Sequence, residues 1–137
     1  MAADKVEFEL VSPERLLLSQ QVDMVVVPGA EGDFGVLPRH APLISTLRPG
    51  IIRVFEGRDV KQRIFVAGGF AEVTPERCTV LAEEAVPVGE IDAAELAQEL
   101  KNLAEDLADA KTDEEKAAIA KRIVVRQAMR AAAAPGA

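Results

Sequence analysis

Apolar and polar positions change their period once along this chain. In the first part, Val6, Phe8 and Leu10 alternate with Glu7 and Glu9, the period-two signature of a strand with one buried face. Residues 22–27 form a short apolar run closed by Pro28 and Gly29. Residues 51–55 and 63–67 flank Glu56, Gly57, Arg58 and Asp59, a composition that predicts a hairpin turn. Residues 70–74 and 78–82 flank Pro75, Glu76 and Arg77, a second short connection. Many short strands at close spacing, with no helical stretch among them, predict an all-β sandwich or barrel.

After Pro87, Val88, Gly89 and Glu90 the period lengthens. Leu96, Leu100, Leu103 and Leu107 recur at steps of four, three and four, giving one apolar stripe on a helix. Asp92 followed by Glu95 has the spacing of a capping box, and Thr112 with Glu115 repeats it and restarts the helix. Ile119 and Ile123, with Ala120 and Val124, are the expected apolar face of the second helix, which Pro135 and Gly136 end. A tight break between two such segments predicts an antiparallel hairpin. The expected domains are therefore residues 1–88, a β-sandwich, and residues 89–137, a helical hairpin.

Composition sharpens this division. Residues 1–88 hold all five Phe, seven of nine Gly and seven of eight Pro, whereas residues 89–137 hold 15 of 23 Ala. Glycine and proline punctuate strands and alanine favours helix. A hydrophobic share of 49% and a charged share of 28% over 137 residues is globular composition. Tyr and Trp are absent, and the net charge is −7, which argues against a nucleic-acid partner. One cysteine, Cys78, and one histidine, His40, leave no internal disulfide and no Cys/His metal cluster, which fits a reducing compartment; no cofactor is expected. No apolar run reaches membrane-spanning length, and the N-terminus has neither signal-peptide nor transit-peptide character. The expectation is a soluble, intracellular chain that is not imported.

Charge is distributed unevenly along the second part. Residues 83–115 carry 12 acids against Lys101 and Lys111, while residues 116–137 carry five bases and no acid. Arg122, Arg126 and Arg130, at steps of four, make one basic stripe. Two readings stand side by side: a solvated face that complements the helix dipole, or a surface for an acidic partner. Within the hairpin such a partner is available in the acidic first helix, residues 99–109. Catalytic chemistry is sparse. His40 lies in a rigid loop between Pro38 and Pro42 with no nucleophile motif nearby, and a structural or interface role suits it. Gly29, Gly32 and Gly35 lack the Gly-Lys-Ser/Thr of a phosphate loop. Glu31 and Asp33 are a carboxylate pair or, in so glycine-rich a turn, a solvated surface loop. Cys78 fits a small core position.

The string Pro28-Gly-Ala-Glu-Gly-Asp-Phe-Gly-Val-Leu-Pro-Arg-His-Ala-Pro-Leu43, followed by Leu47-Arg-Pro-Gly50, closely resembles the epsilon subunit of F-type ATP synthases. So do Val66-Ala-Gly-Gly-Phe-Ala-Glu-Val73, the opening Phe8-Glu-Leu-Val-Ser-Pro13 and the helical tail, so the resemblance covers almost the whole chain. It implies a sandwich of about ten strands followed by an antiparallel two-helix hairpin. It also implies a non-catalytic central-stalk subunit of a proton-translocating synthase, on the cytoplasmic face of a bacterial inner membrane. The implied partners are the gamma subunit and the ring of c subunits, both held by the sandwich. Glu31, Gly32 and Asp33 match the turn that meets the c ring, and His40 and Pro42 lie in the family-motif loop. The hairpin is implied to extend towards the alpha and beta subunits and to restrain ATP hydrolysis, with Arg122, Arg126 and Arg130 as the regulatory stripe. Some relatives bind ATP through Ile/Leu-Asp-x-x-Arg-Ala; here the stretch reads Ile91-Asp92-Ala93-Ala94-Glu95-Leu96, and the carboxylate in place of arginine repels a phosphate. Two other classes stay open on sequence alone: an adaptor for a different assembly, and a ligand-binding or enzymatic sandwich with a concave pocket.

Overall fold

The structure, a computed structural model, describes residues 4–135. The chain divides into two compact units between Pro87 and Val88. The first consists of ten strands: β1 (Val6–Val11), β2 (Leu16–Val22), β3 (Met24–Gly29), β4 (Gly32–Val36), β5 (Leu43–Thr46), β6 (Gly50–Glu56), β7 (Asp59–Val66), β8 (Gly69–Val73), β9 (Arg77–Ala82) and β10 (Ala85–Pro87). They form two five-stranded sheets. Sheet I has the order β2-β1-β9-β8-β5 and sheet II the order β10-β7-β6-β3-β4. Neighbours pair antiparallel except β1 and β9, which run parallel.

Alternation builds the core. Val6, Phe8 and Leu10 point inward from β1, Cys78, Val80 and Ala82 from β9, and Ala71 and Val73 from β8. Sheet II answers with Val25, Val27, Val36, Ile52, Val54, Ile64 and Val66. Phe8 is completely buried, and full burial of such a side chain is worth about 1.5–3 kcal/mol. Gln20 of β2 donates to Gln62 of β7 at 2.5 Å, a hydrogen bond between the two sheets.

The strand pattern read from the residues requires correction at one point and leaves four strands unread. The apolar run over residues 22–27 is two strands in different sheets, divided at Asp23. That carboxylate accepts from the Nζ of Lys5 and from the Gly57 N–H, both at 2.5 Å, which fixes the corner where the chain passes from sheet I to sheet II. The same two hydrogen bonds, that of Lys5 foremost, hold the Asp23 carboxyl below its ordinary pKa. In addition β2, β4, β5 and β10 carry no alternation. β2 is an edge strand with Leu16 exposed, β4 is Gly-Asp-Phe-Gly-Val, and β5 and β10 have four and three residues.

The second unit begins with a single 3-10 turn, Val88–Glu90, followed by α1 (Ala93–Asp109) and α2 (Asp113–Ala133). Each cap works as its sequence predicts on one side: the Asp92 side chain accepts from the Glu95 N–H at 3.0 Å, and the Thr112 hydroxyl from the Glu115 N–H at 3.1 Å. The Glu115 carboxylate reaches back to the N–H of Lys111 rather than that of Thr112. Leu96 and Leu103 of α1 and Met129 and Ala132 of α2 are buried. The predicted α2 face is corrected: Ile119 and Ile123 are half-buried, but Ala120 is exposed and Val124 is 58% exposed. Ala120 and Val124, each about 100° round the helix from Ile119 and Ile123, fall outside its covered side. The helix ends at Ala133 with Pro135 in the turn beyond; Gly136 lies outside the described residues.

Candidate protein-docking surfaces

Three surfaces carry the residues singled out by sequence. The first is the tip of the β3–β4 hairpin, where Gly29 pairs with Gly32 across Ala30 and Glu31. Ala30 N–H donates to Thr46 O at 2.9 Å, and Arg48 N–H donates to Pro28 O at 3.0 Å, so the end of β5 and the residues after it brace the turn. Arg48 also donates from Nη1 to Gly29 O at 2.6 Å and from Nη2 to the Asp33 carboxylate. Arg53 approaches the same carboxylate at 3.6 Å. The two acids of this turn therefore differ in kind. Asp33 is paired with two arginines and stiffens the tip, while Glu31 stands exposed at its apex. Gly32 opens β4 beside them.

The second is the loop of Leu37, Pro38, Arg39, His40, Ala41 and Pro42. Arg39 has a positive φ of 63° and is held by its N–H to Pro75 O at 2.7 Å and by an ion pair with Asp4. His40 N–H donates to Leu37 O at 3.2 Å, and its Nδ1 lies 2.7 Å from Ala41 O. These contacts are all with backbone of its own loop, and they set loop shape. Pro42 is exposed.

The third, the basic stripe, is not uniform. Arg126 Nε lies 2.8 Å from Glu99 Oε1 and Arg122 Nη2 lies 4.0 Å from the same oxygen. Arg130, in the last turn of α2, forms no ion pair among the described residues. Of the acidic residues expected to face the stripe, Glu99 is the one that does.

One surface escaped the sequence reading. Register pairs Leu16 with Val11, Val11 with Leu81, Leu81 with Phe70 and Phe70 with Thr46. These residues make one row across all five strands of sheet I, on the face opposite the core. The next row includes Glu9, Thr79, Glu72 and Ile44. Ile44 is 69% exposed, Leu16 55% and Phe70 43%, which leaves an apolar band with acidic neighbours open to solvent. Its trace in the sequence is faint: Val11 and Leu81 put apolar residues where strict alternation calls for polar ones.

Cys78 is fully buried, and burial pushes its thiol up to about 12. Among the described residues no group of three or more His, Cys, Asp or Glu side chains is arranged to hold a metal ion.

The family model for the beta-sandwich domain of the ATP synthase delta/epsilon chain matches residues 5–88, and that for the C-terminal domain of the ATP synthase epsilon chain matches residues 92–137. The chain belongs to the ATP synthase epsilon-chain family. It is 58% identical over 133 residues to the ATP synthase epsilon chain of Paramagnetospirillum magneticum, covering 96% of this chain and 99% of that one. To the epsilon chain of Rhodospirillum rubrum it is 52% identical over 130 residues, covering 95% and 97%. The same fold occurs in a chain of the Euglena gracilis mitochondrial ATP synthase, with TM-score 0.80 and 24% identity, covering 95% of this chain and 82% of that one. A chain of the Tetrahymena thermophila mitochondrial ATP synthase shares it at TM-score 0.71 and 17% identity, covering 98% and 100%. As an epsilon subunit this is a non-catalytic part of its complex. No helix among the described residues is long and apolar enough to cross a membrane.

Proposed function

We propose that this epsilon subunit is a rotor component of the central stalk of a proton-translocating synthase, coupling the c ring and gamma to the catalytic head. The observation that carries the partner assignment is the open apolar band on sheet I. Its row of Leu16, Val11, Leu81 and Phe70, with Ile44 beside it, offers a contiguous exposed area for a stable apolar contact, and gamma is its partner in this reading. Glu7 and Glu9 flank the band but are paired with Arg77, at 3.0 and 3.4 Å, so they set orientation more than affinity. Glu72 supplies an exposed charge at the rim.

The braced β3–β4 tip is the contact to the c ring. Glu31 faces a basic loop of the c subunit, while Asp33, engaged by Arg48 and Arg53, keeps the apex in position. The hairpin is the regulatory part: when it extends, its basic stripe meets acidic segments of the alpha and beta subunits and slows hydrolysis. The complex places the protein peripherally on the cytoplasmic face of the bacterial inner membrane. ATP sensing through the hairpin is absent in this protein, because Glu95 stands where the nucleotide-binding relatives have arginine and Asp92 is occupied as the cap of α1.

Binding of the full-length protein to purified gamma tests the main assignment. Phe70→Asp combined with Ile44→Asp should weaken it at least tenfold, since each buries an apolar side chain worth about 1.5–3 kcal/mol. Undiminished binding by a folded double variant would move the gamma contact elsewhere.

A further inference from the structure

The ion pairs of the hairpin divide its stripe into two functional classes. A single oxygen, Glu99 Oε1, serves both Arg126, at 2.8 Å from Nε, and Arg122, at 4.0 Å from Nη2. Arg126 is the most enclosed of these groups: its side chain is 17% exposed, against 36% for Glu99 and 64% for Arg122. Its Nη1 also lies 3.9 Å from the sulfur of the buried Met129. One helical turn along, the corresponding rung stays open. Arg130 and Glu95 are both exposed, and neither forms an ion pair among the described residues.

We propose that Glu99 is an internal competitor that holds Arg122 and Arg126 in the folded hairpin, leaving Arg130 as the arginine available to an acidic partner without any rearrangement. An acidic surface that recruits the first two arginines must displace Glu99, so this carboxylate raises the cost of drawing them from the hairpin. Binding shifts an equilibrium only by the difference between its affinities for the two states. Arg130 contributes to partner binding and has no share in hairpin closure. Arg122 and Arg126 contribute to both, with opposite signs. This assignment of roles rests on the reading that the hairpin extends to the catalytic head, but its first test does not.

That test is amide hydrogen exchange of α2 in the isolated full-length protein. Glu99→Gln removes the charge and keeps a good helix former in place. With two partly exposed pairs lost, exchange at the α2 positions facing Glu99 should quicken roughly three- to tenfold at low salt, and the difference should shrink as salt is raised. Arg130→Ala should leave exchange there unchanged. A double-mutant cycle with Arg122→Gln should show coupling between positions 99 and 122. Equal exchange in wild type and Glu99→Gln, or strict additivity in the cycle, would overturn the latch. In the assembled complex, Glu99→Gln should inhibit ATP hydrolysis more than wild type and Arg130→Ala less. If the exchange results hold while both hydrolysis rates stay at the wild-type value, the latch stands and the inhibitory role of the hairpin fails.

Discussion

Replacing Gly69 by alanine should destabilise the sandwich more than any other single glycine change at a turn. Gly69 opens β8 with φ at +110°, a conformation that L residues rarely adopt. A Cβ there would lie 2.0 Å from Leu81 O and 3.0 Å from Ala82 Cα, both backbone atoms of β9 that no rotamer change can move aside. The strained backbone costs about 1–3 kcal/mol. Relief of the clash must also spread β8 from β9 where Gly69 pairs with Ala82, endangering one or two backbone hydrogen bonds at about 0.5–1.5 kcal/mol each. The sum, about 1.5–6 kcal/mol, is a large share of the roughly 5–15 kcal/mol that stabilises a domain. Gly57→Ala is the control, because φ there is +63° but nothing lies within 4 Å of the added Cβ; its cost is the conformational one alone, about 1–2 kcal/mol. The protein has no Trp or Tyr, so urea unfolding is best followed by circular dichroism or by methyl NMR signals of the core valines. Equal unfolding midpoints for Gly69→Ala and Gly57→Ala would refute the steric argument. Phe70 follows Gly69 directly, so a milder variant that still folds should also show weakened gamma binding.

Native Cys78 should resist thiol reagents at neutral pH, because burial keeps it protonated, with reaction appearing only as urea unfolds the sandwich; rapid native labelling would contradict this placement. Asp23 has a depressed pKa when folded, so its contribution is fully present above its ordinary value of 3.8 and is lost as pH falls through the lower folded value. The stability gap between wild type and Asp23→Asn should therefore be constant from neutral pH down to about 4 and should close below that in acid denaturation series. At the tip, Asp33→Ala should lower the stability of the β3–β4 hairpin by about 1 kcal/mol, since its two arginine contacts are partly exposed, whereas Glu31→Ala should leave stability unchanged and weaken c-ring binding. Isothermal titration of the isolated protein with ATP should show no micromolar binding, and heat of that affinity would contradict the effect assigned to Glu95.

Sequence made the inward-facing strands legible because burial on one face imposes a period of two, as in β1 and β9. It left β2, β4, β5 and β10 unread, since edge and glycine-rich strands face the core too little to carry that period; their number came from the family resemblance. The break at Asp23 was hidden because Val22 and residues 24–27 are apolar for the sake of two different sheets. On α2, Val124 looked equivalent to Ile123 until the helix was placed against α1. The site residues show the same limit. His40, Glu31 and Asp33 stood out by type, but the arginines that neutralise Asp33 lie 15 and 20 positions away and meet it only through sheet pairing. Leu16, Val11, Leu81 and Phe70 are scattered over four strands and become one band only when register aligns them.

The central claim, that the sandwich couples the stalk while the hairpin only regulates it, is tested most directly by ATP-driven proton pumping in membranes whose synthase lacks the epsilon subunit. Addition of the full-length protein and addition of residues 1–88 should both restore pumping, with faster ATP hydrolysis in the truncated case. Failure of residues 1–88 to restore pumping, although they fold and the full-length protein succeeds, would show that the hairpin takes part in coupling and would contradict the account.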